Sequence, residues 1–300
     1  MTWGLGFAGL GWLGESLLKD LPGFPSLRLA AVQDIRADLV ERYASPWRGT
    51  DYSEMLAAPE VDAVVICTPN ALHVPQAQLA LQAGKHVLVQ KPLALSCRDA
   101  RAVVDLAAQM DRLLFVDYTY RFLDTVRVLR DSLRARPRHI SAKFHNIYGP
   151  GQDKSWFFDP KLSGGGALVD LGVHLLDLAL WLLQPSGVNL VDVQLHGGPP
   201  VETSTRLRLL LDDVPFDLEV SWNAPLPATE IAFELDDLRW ENVDGSFFHF
   251  RTRLGERVLL DRETTLRADT LRAFVTALET QAAPQIDVRV YSVLEQALRR

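Results

Sequence analysis

Asp170, His174 and Asp177 stand inside a run, Ala167 to Leu183, in which nearly every other position is Leu, Val, Ala or Trp. Their spacing of four and then three puts them on one face of a helix. A helix this apolar is expected to be covered on most sides, and a charge inside it is costly unless a partner or water compensates. An imidazole that titrates near neutrality beside carboxylates is equipment for proton transfer, so the stripe is expected to line a cleft. A buried Asp-His pair that only satisfies itself is the plain alternative. A metal site is another, since Asp-x3-His-x2-Asp offers oxygen and nitrogen donors. No second His/Cys cluster stands ready to complete a shell, and no metal is expected.

A second group of candidates lies in the N-terminal part. Gly9-Leu10-Gly11-Trp12-Leu13-Gly14 reads G-x-G-x-x-G between a β-rich run and a helical one, the context of a dinucleotide fingerprint. Gly9 makes the turn, Gly11 lets backbone approach a pyrophosphate and Gly14 lets helix and strand close up, with Trp12 and Leu13 opening the helix whose N-terminus takes the phosphate. An overlapping match from Gly4 has too few residues before it for a strand. Asp34 ends the second strand about twenty residues on, where a carboxylate holds both ribose hydroxyls and repels a 2′-phosphate. NAD is therefore favoured; Arg36, beyond Ile35, keeps NADP open. Thr68, Pro69, Asn70 and His73 follow the third strand, and Gln90 and Lys91 end the fourth, so all six join the cofactor-binding candidates. The Lys91 ammonium can bridge cofactor and substrate hydroxyl and stabilise alkoxide character. Taken singly, a tight turn, an ordinary Pro-Asn turn and a surface lysine are the competing readings.

These groups need elements to hold them. Strands are predicted at Thr2 to Ala8, Leu27 to Gln33, Ala63 to Cys67, His86 to Val89 and Leu113 to Val116, alternating with helices at Leu13 to Asp20, His73 to Gln82 and Cys97 to Gln109, the last capped by Ser96. Such alternation is the signature of a doubly wound parallel sheet. After Tyr120 come a helix at Leu123 to Leu133, a strand at His139 to Ile147, an irregular Gly/Pro/aromatic loop and the polar-striped helix. Six strands between Leu190 and Leu260 without intervening helices predict a largely antiparallel sheet, and two helices close the chain. The expected organisation is α/β followed by α+β: residues 1–120 as a Rossmann dinucleotide-binding domain, residues 121–300 as a substrate-binding and oligomerisation domain, with return of the C-terminal helix to the first domain as an open alternative.

Three hundred residues, 48% hydrophobic, are enough for two modest domains. A net charge of −7 without a long basic cluster points away from nucleic acid and anionic membrane surfaces as partners. No apolar run is expected to span a bilayer and no signal peptide is read, so a soluble cytoplasmic protein is expected. Cys67 and Cys97 match no disulfide or zinc pattern.

Taken together, GLGWLG, Asp34, the CTPNALH segment, GKHVLVQKPLA, YRF at Tyr120 to Phe122 and GGGALVDLGVHLLD resemble the glucose-fructose oxidoreductase, inositol dehydrogenase and MocA family over nearly the whole chain. The resemblance implies a Rossmann domain, an α+β domain with an open sheet, a nicotinamide cofactor and a polyol-like substrate such as a sugar, a cyclitol or their keto forms. It implies Lys91, Asp170 and His174 as the catalytic set, with His174 exchanging a proton with the reacting hydroxyl. Substrate contacts would come from Lys91, Asp170, His174 and Tyr118, Arg121, Tyr148 and Trp156, with Lys154 and Asn146 nearby; a loop packed by its own aromatics is the rival reading. A homodimer or homotetramer is the expected assembly. The family commonly carries Glu-Lys-Pro where this chain has Gln90-Lys91-Pro92, which removes a charge and keeps hydrogen bonding. A cofactor-binding sensor without turnover, and a reductase of a non-sugar substrate, are the alternatives.

Overall fold

The computed structural model describes residues 2–147, 155–223 and 229–299. The chain folds into two compact units: Met1–Asp117 with Arg267–Ile286, and Tyr118–Leu266 with Asp287–Arg300.

Unit 1 is built on a six-stranded parallel sheet: β1 (Trp3–Ala8), β2 (Leu27–Gln33), β3 (Trp47–Gly49), β4 (Ala63–Ile66), β5 (His86–Gln90) and β6 (Leu114–Asp117), in the order β3-β2-β1-β4-β5-β6. The residues of β4, β5 and β6 are buried throughout, because helices cover both faces of a parallel sheet and leave no polar side. That is why these strands read in sequence as unbroken apolar runs. Helices α1 (Trp12–Asp20), α2 (Ala37–Val40), α3 (Tyr52–Ala57), α4 (His73–Gln82) and α5 (Cys97–Gln109) make the connections. The Ser96 hydroxyl caps α5 by accepting from Asp99 N–H at 3.1 Å. The strand order reverses between β1 and β4, so the crevice of this sheet opens at the carboxyl ends of those two strands.

Unit 2 carries an eight-stranded sheet: β7 (Ile140–His145), β8 (Val188–His196), β9 (Ser204–Leu211), β10 (Val214–Ser221), β11 (Glu230–Leu235), β12 (Leu238–Asn242), β13 (His249–Leu254) and β14 (Arg257–Glu263), ordered β14-β13-β12-β11-β7-β10-β9-β8. All pairs are antiparallel except β7 with β10. Burial alternates along β7, β9 and β10, so one face packs on the core and the other meets solvent. The solvent face is laced by ion pairs between neighbouring strands, among them Arg206 with Glu219, Arg208 with Asp217 and Lys143 with Glu230. The helices that follow Tyr118 in the chain are α6 (Asp124–Ser132), α7 (Pro160–Ser163), α8 (Val173–Leu183), α9 (Leu266–Thr280) and α10 (Arg289–Leu298).

Three features depart from the expectations. The division is not a single cut near residue 120: most of α9 joins unit 1, where Phe274 meets Phe115 of β6 edge to face at 5.5 Å, while the last helix, α10, belongs to unit 2. Strands β3 and β12 are additional; β12 pairs with β11 through a two-residue turn in which Asp236 has φ 53°, so one short strand is hidden behind an acidic pair. Lastly, the stretch Pro160–Leu183 is long and apolar enough to cross a membrane, contrary to the expectation, and 83% of its most apolar part is buried inside the protein as a core helix.

Candidate active site

The glycine loop of unit 1 is shaped by close approaches. Gly9 has φ 88°, and a Cβ there would lie 2.7 Å from the Cys67 carbonyl oxygen; one on Gly14 would lie 2.1 Å from the Gly9 carbonyl oxygen. Gly11 differs, since a Cβ there would meet nothing within 4 Å. Gly11 is the N-cap of α1, so free space stands at a helix N-terminus whose first N–H groups are unsatisfied within the helix. Asp34 fixes this loop: its Oδ2 accepts Leu10 N–H at 2.7 Å and its Oδ1 accepts Arg36 N–H at 2.9 Å, while Arg36 Nε lies 3.8 Å away. Each oxygen retains acceptor capacity for a ribose hydroxyl. Trp12 and Ile35 flank the loop with apolar side chains 60% and 87% exposed, and the Arg267 guanidinium stands 5.4 Å over the Trp12 ring. An open space at the helix start, a bracketed turn and exposed apolar surface fit a dinucleotide.

At the next strand ends the candidates separate. Thr68 and Pro69 are partly exposed after β4, with Thr68 Oγ1 donating to Gln76 Oε1 at 2.6 Å, and Asn70 is buried beside them. His73 is 1% exposed, with Nδ1 2.7 Å from the Pro92 carbonyl oxygen and Nε2 2.8 Å from that of Thr68. It therefore ties the turn after β4 to the turn after Lys91 rather than facing a ligand. A neutral ring donates to only one of these carbonyls; burial holds the imidazole below its ordinary pKa, the two carbonyls push the other way and the Lys91 charge lowers it further. Gln90 is buried too: 4% exposed, it turns its amide nitrogen to Asp117 Oδ2 at 2.7 Å. Lys91, the next residue, is partly exposed just past the carboxyl end of β5. Burial, and then Asp117, push the Cys67 thiol up, which disfavours the thiolate.

In unit 2 the polar stripe divides. Leu168–Gly172 is a single π-helical stretch running into α8, so Asp170 sits where the helix is locally unwound, a feature frequent at functional sites. Its Oδ2 accepts Trp222 Nε1–H at 3.1 Å. His174 is partly exposed and lies against aromatic rings, with centroids 5.0 Å from Tyr120 and 6.2 Å from Phe144. Asp177 points elsewhere: it is 1% exposed and takes a two-pronged pair from Arg121, Nε to Oδ2 at 2.6 Å and Nη2 to Oδ1. Arg121 and Tyr118, expected as substrate contacts, are 5% and 3% exposed, and the Tyr118 hydroxyl meets that of Tyr291 at 2.6 Å. Both belong to the interior that supports the helix. Trp156 is partly exposed and stacks on Phe157 at 4.2 Å; Phe157 and Phe158 in turn pack on Trp222, as the self-packed loop requires. Asn146 is buried, with Oδ1 accepting Ile147 N–H at 2.9 Å. Tyr148 and Lys154 lie outside the described residues. No cluster of three or more His, Cys, Asp or Glu suited to a metal ion occurs among the described residues.

Sequence reasoning missed four residues that hold the candidates in place. Glu202 accepts Gly166 N–H at 2.8 Å and Leu168 N–H at 3.0 Å with its carboxylate, and Ala167 N–H at 3.1 Å with its carbonyl. Trp222 holds Asp170, while Asp117 and Thr270 meet at 2.8 Å at the end of β6. The one local sign was a glycine: a Cβ on Gly166 would fall 1.7 Å from the Glu202 carbonyl oxygen.

Residues 4–118 match the family model described as the oxidoreductase family, NAD-binding Rossmann fold, and residues 126–240 match the GFO/IDH/MocA C-terminal domain. Over 152 residues the chain is 34% identical to the 1,5-anhydro-D-fructose reductase of Ensifer adhaerens, covering 50% of this chain and 46% of that protein. Over 164 residues it is 33% identical to the D-glucoside 3-dehydrogenase of Escherichia coli K12, covering 52% and 47%. The chain thus spans about half the length of these curated relatives. In structure it is similar to a levoglucosan dehydrogenase solved with NADH and levoglucosan, at TM-score 0.86 and 17% identity over 100% of this chain and 96% of that one. It is also similar to a 3-ketoreductase from Actinomadura kijaniata solved with NADP and TDP-benzene, at TM-score 0.82 and 22% identity over 99% and 95%. At these identities the structural likeness is one of fold. With its two halves matching both domain models in order, the chain belongs to the Gfo/Idh/MocA oxidoreductase family.

Proposed function

We propose that this protein is an NAD(P)-dependent dehydrogenase or reductase acting on a carbinol or carbonyl carbon of a sugar, cyclitol or related polyol. The observation that carries the reading is the open space over Gly11 at the start of α1, bracketed by Asp34, in a chain whose curated relatives include a sugar reductase and a glucoside dehydrogenase. Nicotinamide, when bound, supplies hydride acceptance or donation at C4. Gly9, Gly11 and Gly14 admit the pyrophosphate, and Asp34 takes the ribose hydroxyls, which favours NAD over NADP. Lys91 orients the reacting hydroxyl and stabilises alkoxide character as the proton leaves. His174 takes that proton in oxidation and returns it in reduction, with Asp170 assisting from a carboxylate steadied by Trp222.

Titration with NAD, NADH, NADP and NADPH by calorimetry, followed by nicotinamide absorbance against sugars, cyclitols and sugar acids, tests the reading. The expected result is binding of NAD and NADH, turnover on at least one polyol class and a loss of about a hundredfold or more in kcat for His174→Ala with cofactor binding retained. Binding without turnover on any class would transfer the protein to a sensor role. Failure to bind all four cofactors would remove the dinucleotide assignment.

A further inference from the structure

Asp117 is a carboxylate with no exposed surface at the last position of β6. Its register partner across the parallel pair is Gln90, the last residue of β5, whose amide donates to Oδ2 at 2.7 Å. Its Oδ1 accepts the Thr270 hydroxyl of α9 at 2.8 Å, and Thr270 is itself fully buried. Both oxygens thus receive donors, the arrangement that makes a buried carboxylate tolerable. Packing alone does not call for it: an amide or an apolar pair of the same shape fills such a place at no greater cost than a charge taken out of water.

The location gives the charge a use. In the order β3-β2-β1-β4-β5-β6, Asp34 marks the adenosine side of the crevice, so the nicotinamide half of a dinucleotide belongs over the carboxyl ends of β4, β5 and β6. Oxidised nicotinamide is cationic and reduced nicotinamide is neutral. Gln90 directly precedes Lys91, and it stands where the resemblance leads one to expect a glutamate. Glutamate at 90 would set a second carboxylate against Asp117 at hydrogen-bond distance, whereas glutamine meets it with a donor.

We infer that Asp117 is a positioning residue that carries the fixed negative charge of the nicotinamide end, displaced by one strand from residue 90, and that Gln90 is its matched neutral partner holding the Lys91 turn. This rests on the dehydrogenase reading. Asp117 favours oxidised over reduced cofactor and, through Gln90, fixes the end of β5.

The test is calorimetry with NAD and NADH on the wild type, Asp117→Asn, Gln90→Glu and the double variant Gln90→Glu/Asp117→Asn, with thermal melting of each without cofactor. Asp117→Asn is expected to weaken NAD relative to NADH about tenfold, the scale of one charge about 12 Å away at an effective dielectric of about 20. Gln90→Glu alone is expected to lower the melting temperature, and the double variant to recover both melting temperature and binding ratio. A binding ratio unchanged within about twofold in a folded Asp117→Asn would overturn the inference and leave the pair as packing. Should that variant not fold, the double variant decides: one negative charge at residue 90 with a wild-type ratio supports the inference, and a ratio shifted about tenfold sinks it. A wild type that binds NAD and NADH while the ratios stay flat defeats only this inference; a wild type that binds neither defeats the dehydrogenase reading as well.

Discussion

Two glycine-rich entrances lead into the two helices of interest, and they are finished in opposite ways. At Gly9 to Gly14 the chain turns tightly under α1 and leaves open space over Gly11. At Gly164 to Gly166 the turn is filled by the protein itself: a Cβ on Gly166 would fall 1.7 Å from the Glu202 carbonyl oxygen, and the Glu202 carboxylate takes the N–H groups of Gly166 and Leu168. A helix N-terminus attracts an anion in either case. The first entrance leaves that place to a ligand's phosphate, while the second closes it with an internal carboxylate and so gives Asp170 a fixed base. Glycine in a helix entrance therefore has two meanings, and the space beyond the missing Cβ separates them.

Alanine at each entrance breaks the comparison most directly. Gly166→Ala forces a methyl into backbone, and the expected cost is about 3 kcal/mol or more of unfolding free energy, read by denaturant titration. Gly11→Ala is expected to do the reverse. Its N-cap backbone, φ −67° and ψ −174°, suits alanine, so the weaker cap and the stiffer unfolded chain nearly offset, and stability should stay within about 1 kcal/mol. The same methyl occupies the phosphate's space, and NAD affinity should fall about tenfold or more. Equal stability losses at the two positions would mean that Gly11 is packed like Gly166, and the cofactor reading of the loop would fail.

The same contrast separates what can be read in the sequence from what cannot. The parallel strands of unit 1 are buried on both faces, so β4, β5 and β6 stand out as apolar runs, and the loops at their carboxyl ends are where a doubly wound sheet puts its ligand residues. Periodicity also places Asp170, His174 and Asp177 on one helix. It does not say which way each one turns: the π-helical stretch at Leu168–Gly172 shifts Asp170 relative to α8, and the pair with Arg121 holds Asp177 in the interior. Partners were illegible wherever they are remote in the chain: Glu202 lies 36 residues from Gly166, Trp222 lies 52 from Asp170 and Thr270 lies 153 from Asp117. Such pairs leave no periodic trace, because one side chain fixes the other only once the sheet has brought them together. His73 and Gln90 show a related limit: position at a strand end suggests a ligand, and both side chains are buried against protein partners that the sequence does not reveal.

The finest distinction between the entrances concerns the charge on Glu202, and it carries the smallest expected effect. Burial raises the Glu202 carboxyl above its ordinary 4.5, against the N–H groups of Leu168 and Gly166 that pull it down. A carboxyl whose folded pKa is raised binds its proton more tightly folded than unfolded. Its contribution to stability is complete below about pH 4.5 and declines as pH rises through the folded value. Glutamine resembles the protonated form and does not titrate, so the wild type should lose stability relative to Glu202→Gln as pH increases from acid toward neutrality, with parallel melting curves above that interval. Thermal melting of both proteins from pH 4 to 8 reads this difference. If the wild type instead gained on the glutamine variant over the same interval, the helix N-terminus would be holding the ionised carboxylate more strongly than burial opposes it. Glu202 would then be the electrostatic counterpart of the phosphate at Gly11 as well as its geometric one.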